Sequence, residues 1–119
     1  MEKENIIQVK SYQFALAIIE LVRKFPRRTD GYVLGNQLLR AGTSIGANVE
    51  EAIGAFSKND FSHKMSIALK EARESNYWLR LIRDSCLVEA ADLKNLPEDS
   101  EELRKILTSI VKSAQKSNL

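Results

Sequence analysis

The chain is poor in the residues that carry most site chemistry. Its 119 residues include one cysteine and one histidine, which excludes an internal disulfide and any zinc set assembled from Cys and His. A lone thiol fits a reducing cytoplasm. The formal net charge of +2 is too small to declare a polyanion partner by itself. No apolar run approaches the roughly 20 residues of a membrane span, and Glu2 and Glu4 spoil the positive start that a secretory leader needs. A phosphate-cradling glycine loop is missing, and no Ser/Asp pair is tied to the single histidine. These absences point to a non-enzymatic protein with no catalytic residue, no metal and no cofactor.

With 44% hydrophobic and 29% charged residues, the chain has the composition of one soluble globular domain. Only two prolines interrupt it, and its apolar residues recur at helical spacing. The first helix is expected from Asn5, a cap with Gln8 three residues on, to Phe25 before Pro26. Phe14, Ile18, Leu21 and Phe25 form one seam on it, while Tyr12, Ala15, Ile19 and Val22 form a second. A single partner helix does not cover both, so either this helix takes a central position within one bundle or part of its surface is buried by another copy of the chain. Thr29 or Asp30 is placed to cap the second helix, which is expected to end near Ala55. Ser57, Asn59 and Asp60 offer caps for a third that runs to Leu87. Pro97 suits the first position of a fourth helix, with Glu98, Asp99, Glu101 and Glu102 at its positive end, and the tail from Lys116 should fray. Four helices with short connections predict an all-α, antiparallel up-down four-helix bundle.

The stretch from Leu34 to Phe56 organises this arrangement. Leu34, Leu38, Ala41, Ile45, Asn48, Ala52 and Ala55 follow at steps of four and three, as along a heptad seam. Gly42 and Gly46 thin the same helix. Each glycine costs about 0.8 to 1 kcal/mol against alanine in a helix interior, so their presence argues for close packing. Ser44, Ile45, Asn48, Val49 and Glu51, preceded by Gln37-Leu38-Leu39-Arg40-Ala41, resemble the second helix of the bacterial rRNA intervening-sequence proteins. That family's motif reads Ser-Ile-Pro-Ser-Asn-Ile-Ala-Glu-Gly, from which this chain departs at Gly46, Ala47, Glu50 and Ala52. Phe25-Pro26 and, in the third helix, Phe61, Ala68, Glu74 and Leu79 extend the resemblance over most of the chain. It implies a ring-shaped homopentamer with no established activity. The chain is also distantly similar to the accessory variability proteins of diversity-generating retroelements, a resemblance that implies binding to nucleic acid and a reverse transcriptase.

Two sets of polar residues are singled out. Arg40, Asn48 and Glu51 descend one side of the second helix and Glu74 falls on the third, so these four are expected to form a buried polar network or, alternatively, salt bridges at the core edge. Lys24, Arg27, Arg28, Lys64 and Arg73 lie on segments of net positive charge and are the candidate contacts to RNA or DNA, although Lys24, Arg27 and Arg28, at a helix C-terminus, also complement the helix dipole. Lys70 with Glu74 and Arg80 with Asp84, each four apart, should pair along the third helix. Asp60-Phe61-Ser62-His63 has the acid-x-x-His spacing of di-iron bundles, but the other ligands are missing and Asp60 reads as a first-turn acid. Cys86, on the third helix's apolar seam, reads as a packed thiol, and Tyr77 and Trp78 read as core or interface aromatics. The leading expectation is a self-associating helical scaffold or interaction module. The alternative is a nucleic-acid-binding accessory protein.

Overall fold

Four long helices account for most of the chain: α1 (Glu2–Val22), α2 (Thr29–Ile53), α3 (Lys58–Asp84) and, after the single turn α4 (Ala90–Leu93), α5 (Leu96–Ser117). The computed structural model describes residues 2–117, with side chains from Ile6 to Lys116, and among these residues there is no strand. The expectations for Asn5 as a cap and for Asn118 and Leu119 as a frayed tail lie outside the described side chains and residues; the first helix itself begins earlier, at Glu2.

The helices pack in a square, α1 against α2, α2 against α3, α3 against α5 and α5 back against α1, in a rod of 48 × 20 × 20 Å. Each neighbouring pair is antiparallel, as its cross-contacts show. Between α1 and α2, Gly35 lies over Phe25, Gly42 over Ile18 and Gly46 over Ser11. Between α2 and α3, Arg40 meets Glu71 whereas Glu51 meets Lys64. The core runs the length of the rod, from Ile7, Met65 and Val111 to Leu21, Ile82 and Leu96.

Local chemistry explains the boundaries. The α1–α2 turn holds no side-chain cap from Thr29: Arg28 occupies the cap position, and Asp30 Oδ1 accepts from Arg28 Nε at 2.7 Å and from the Gly31 N–H at 2.8 Å. The Arg28 hydrogen bond keeps the Asp30 carboxyl below its ordinary range. Ser57 caps α3, its Oγ accepting from the Asp60 N–H at 3.0 Å. Helix α5 opens one residue before Pro97.

The end of α3 corrects the reading of Cys86. The helix stops at Asp84, and Cys86 turns into the left-handed region at φ 57°. Its N–H bonds the Arg83 carbonyl at 3.1 Å, while the Leu87 N–H reaches back to Ile82 at 3.2 Å. This pair of bonds closes a Schellman motif, in which the left-handed residue usually is glycine. Leu87 takes the buried place and the Cys86 thiol is exposed. The periodic pattern runs through the turn because Leu87 continues the core after the helix has ended.

Candidate interaction surfaces

Helix α2 meets α1 and α3 along two unlike edges. Toward α1 it shows glycines: Gly31, Gly35 and Gly42 are buried. A Cβ built on Gly42 falls 2.9 Å from Ile18 Cγ1, and one on Gly31 falls 2.0 Å from the Pro26 carbonyl oxygen. Toward α3 it shows charge. Arg40 donates from Nη1 to Glu71 Oε1 at 3.2 Å and from Nη2 to Glu74, and Glu74 Oε2 also accepts from the Trp78 indole at 3.0 Å. One guanidinium thus clamps two carboxylates a turn apart, and Trp78 is fixed to the same cluster.

Of the four residues expected to form a buried network, only Arg40 and Glu74 come together. Asn48 is half-buried and donates to the Ser44 carbonyl one turn back at 2.8 Å; Val49 holds the core-facing position beside it. Because α2 winds at 3.6 residues per turn, a strict heptad seam drifts around it, and the buried line passes from Ile45 to Val49 rather than to Asn48. Glu51, also outside the network, forms an exposed pair with Lys64 at 2.7 Å, and that hydrogen bond raises the Lys64 ammonium above its ordinary value. The residue missed is Glu71, the most buried carboxylate at 7% exposure. Its place between Ala68 and Ser75, at steps of three and four, was the available signal. The cluster is an edge network, with Arg40 about half-exposed.

The expected pairs along α3 do not form either. Glu74 is taken by Arg40 and Arg80 donates to Asn76 Oδ1, while Asp84 pairs with Arg83. An interhelical partner for Glu74 and other partners on α3 for Arg80 and Asp84 outcompete the weak cation-first i, i+4 order.

The five candidate nucleic-acid contacts do not form one patch. Lys24, Arg27 and Arg28 sit at the α1–α2 turn, whereas Lys64 lies near the start of α3 at the other end of the rod. Lys24 faces Asp92 at 3.5 Å, Arg28 faces Asp30, and Lys64 faces Glu51. Arg27 and Arg73 are exposed with no acidic partner among the described residues.

An apolar stripe covers the outward side of α1: Ile6, Val9, Tyr12 and Leu16 are about half-exposed or more, Tyr12 at 63%. The inner seam is buried as expected, from Phe14 to Phe25. Tyr77 and Leu81 form a smaller apolar patch on α3, the corner of the square diagonal to α1. Among the described residues no three His, Cys, Asp or Glu side chains converge in a metal-holding group, and no helix is long and apolar enough to cross a membrane.

A crystal structure of a protein with unknown function from the S23 ribosomal protein family, from Bacteroides thetaiotaomicron VPI-5482, is similar to this chain at 41% identity and a TM-score of 0.84, covering 92% of this chain and 98% of the other. No curated protein matches the chain. The family model described as 23S rRNA-intervening sequence protein matches residues 3–109, and the chain belongs to that family.

Proposed function

We propose that this protein is a non-enzymatic, self-associating helical module of the cytoplasm. The observation that carries the reading is the α1 stripe. Ile6, Val9, Tyr12 and Leu16 extend over about 15 Å of one helix face, and a contiguous apolar stripe on a small domain marks a contact surface. Tyr77 and Leu81, on the diagonal helix, supply a second and different patch. Two unlike patches on opposite corners favour a head-to-tail contact, which closes into a ring when the rotation permits. The homopentamer implied by the family resemblance has that symmetry.

Light scattering at micromolar concentration tests this. The wild-type chain should show a multiple of its 13.5 kDa mass, and Tyr12→Glu with Leu16→Glu should return it to a monomer of unchanged helicity. A wild-type monomer at every concentration rejects the reading.

The second reading is a nucleic-acid-binding accessory protein, supported by the retroelement resemblance and by Arg27 and Arg73, which have no acidic partner among the described residues. Binding to RNA and DNA that weakens steeply with salt is its signature. Undetectable binding at low salt rejects it.

A further inference from the structure

The candidate cations lie at the α1–α2 turn and on α3, yet a further run of positive charge lies on α5. Residues 103–117 contain Arg104, Lys105, Lys112 and Lys116 and no carboxylate. Arg104 is spent on Glu101, at 2.8 Å. Lys105, Lys112 and Lys116 fall on one outward line of the helix at steps of seven and four, about 16 Å from first to last. Together with Ser113 they line an open, shallow face of α5. Lys105 lies near Glu98, Glu101 and Glu102 and helps lower the Glu101 carboxyl, whereas Lys112 and Lys116 have no acidic partner among the described residues, in contrast to Lys24, Arg28 and Lys64. Arg73 on α3 extends the face: it sits one turn before Asn76, whose amide bonds Ser100 Oγ at 3.0 Å, and so lies level with the turn that precedes Lys105.

Simpler roles do not account for the line. Favourable interaction with the helix dipole is confined to the last turn, which holds Lys116 alone. A membrane-surface helix needs large apolar side chains beside its lysines, and none of the exposed large hydrophobics is on α5. For the same reason α5 supplies none of the exposed apolar side chains proposed for self-association.

We infer that the Lys105, Lys112 and Lys116 line of α5 binds the phosphate backbone of a nucleic acid. Regularly spaced ammonium groups on a straight helix match a linear polyanion and read no base edges, so the contact is independent of sequence. The inference rests on the nucleic-acid reading above and relocates its contact surface to the end of the rod opposite the α1–α2 turn.

Fluorescence anisotropy with labelled mixed-sequence 20-nucleotide RNA and DNA, in a salt series, tests it. The variant Lys105→Glu/Lys112→Glu/Lys116→Glu should lose more than tenfold in affinity. The variant Lys24→Glu/Arg27→Glu/Arg28→Glu, with the same change in charge, should lose less than threefold. Three single-strand phosphate contacts predict a salt slope of about −2 per bound protomer, and the uncharged Lys105→Gln/Lys112→Gln/Lys116→Gln variant should flatten it. Circular dichroism and light scattering confirm that fold and mass are unchanged. Equal losses in the two charge-reversed variants overturn the α5 assignment and leave nucleic-acid binding standing. No wild-type binding at low salt overturns both, and binding to anionic vesicles without binding to either oligonucleotide overturns the choice of partner.

Discussion

The two edges of α2 solve the same packing problem by opposite means. Against α1 the helix gives up side chains: Gly35 and Gly42 let Val22, Phe25 and Ile18 approach its backbone, while Gly31 lies against Pro26 and Gly46 against Ser11. Against α3 it keeps long polar chains and ties them across the gap, Arg40 to Glu71 and Glu74, and Glu51 to Lys64. The first edge depends on steric fit, where an added methyl meets atoms that have nowhere to go. The second depends on pairing, where loss of one partner leaves a buried charge without compensation. A glycine edge should therefore be brittle toward enlargement, and a charged edge toward truncation.

The largest effect is expected at Gly31. An alanine Cβ there would lie 2.0 Å from the Pro26 carbonyl oxygen, which is backbone and cannot rotate away. Gly31→Ala should cost about 2 to 4 kcal/mol, a fall of roughly 4 °C in Tm per kcal/mol in a domain of this size. Thermal unfolding by circular dichroism measures it, and an unchanged Tm would show that the turn yields freely.

Gly42 and Gly46 sharpen the comparison within one edge. A Cβ at Gly42 meets Ile18 at 2.9 Å, so Gly42→Ala should destabilise by about 1 kcal/mol even after the gain in helix propensity. At Gly46 the nearest atoms are the Ser11 carbonyl oxygen and hydroxyl at 3.4 Å, an ordinary contact. Gly46→Ala should gain up to about 1 kcal/mol. If both substitutions acted alike in chemical denaturation, the spacing of glycines would have no steric meaning.

On the charged edge, Arg40→Ala removes the guanidinium shared by Glu71 and Glu74. Glu71 is buried and Arg40 half-exposed, so the loss should be about 1 to 2 kcal/mol, discounted for screening on the open side. Replacing both partners, Arg40→Met with Glu71→Leu, should recover most of it. A double variant no better than the single one would mean that the cluster contributes little through charge.

The glycine edge was legible in part: Gly42, a costly mid-helix glycine, is closely packed against Ile18, whereas Gly46 meets Ser11 only at ordinary distance and the tight positions Gly31 and Gly35 did not stand out. The number and order of long helices were legible as well, from periodicity punctuated by Pro26, Ser57 and Pro97. The charged edge was only half legible. Arg40 and Glu74 were recognised, but which carboxylate is buried depends on how α3 is rotated, and a seven-residue repeat does not fix rotation to within one position over 27 residues. Cys86 was misplaced for a related reason: nothing in its spacing distinguishes a residue that continues a helix from one that turns out of it in a left-handed conformation. The lysine line on α5 was visible as charge, but that Lys112 and Lys116 have no acidic partner among the described residues became apparent only beside the pairing of Lys24, Arg28 and Lys64.

The smallest effect is expected at Asn48, the residue that separates a heptad register from the observed one. On a strict seam its amide would face the core, and Asn48→Leu would either strand polar partners or alter subunit number. In the structure the amide is satisfied within its own helix, by the Ser44 carbonyl, which is already engaged in the helical ladder's geometry. No side chain across the α2–α3 gap relies on it, since Arg40 pairs with Glu71 and Glu74 and Glu51 pairs with Lys64. Removing the amide therefore strands no buried group, and leucine is the better helix former by a few tenths of a kcal/mol. Asn48→Leu should change stability by less than about 0.5 kcal/mol and leave the mass in light scattering unaltered. A loss above 1 kcal/mol, or a new subunit number, would instead place Asn48 in a contact between copies, where a half-buried amide on the α3-facing side of α2 becomes fully enclosed.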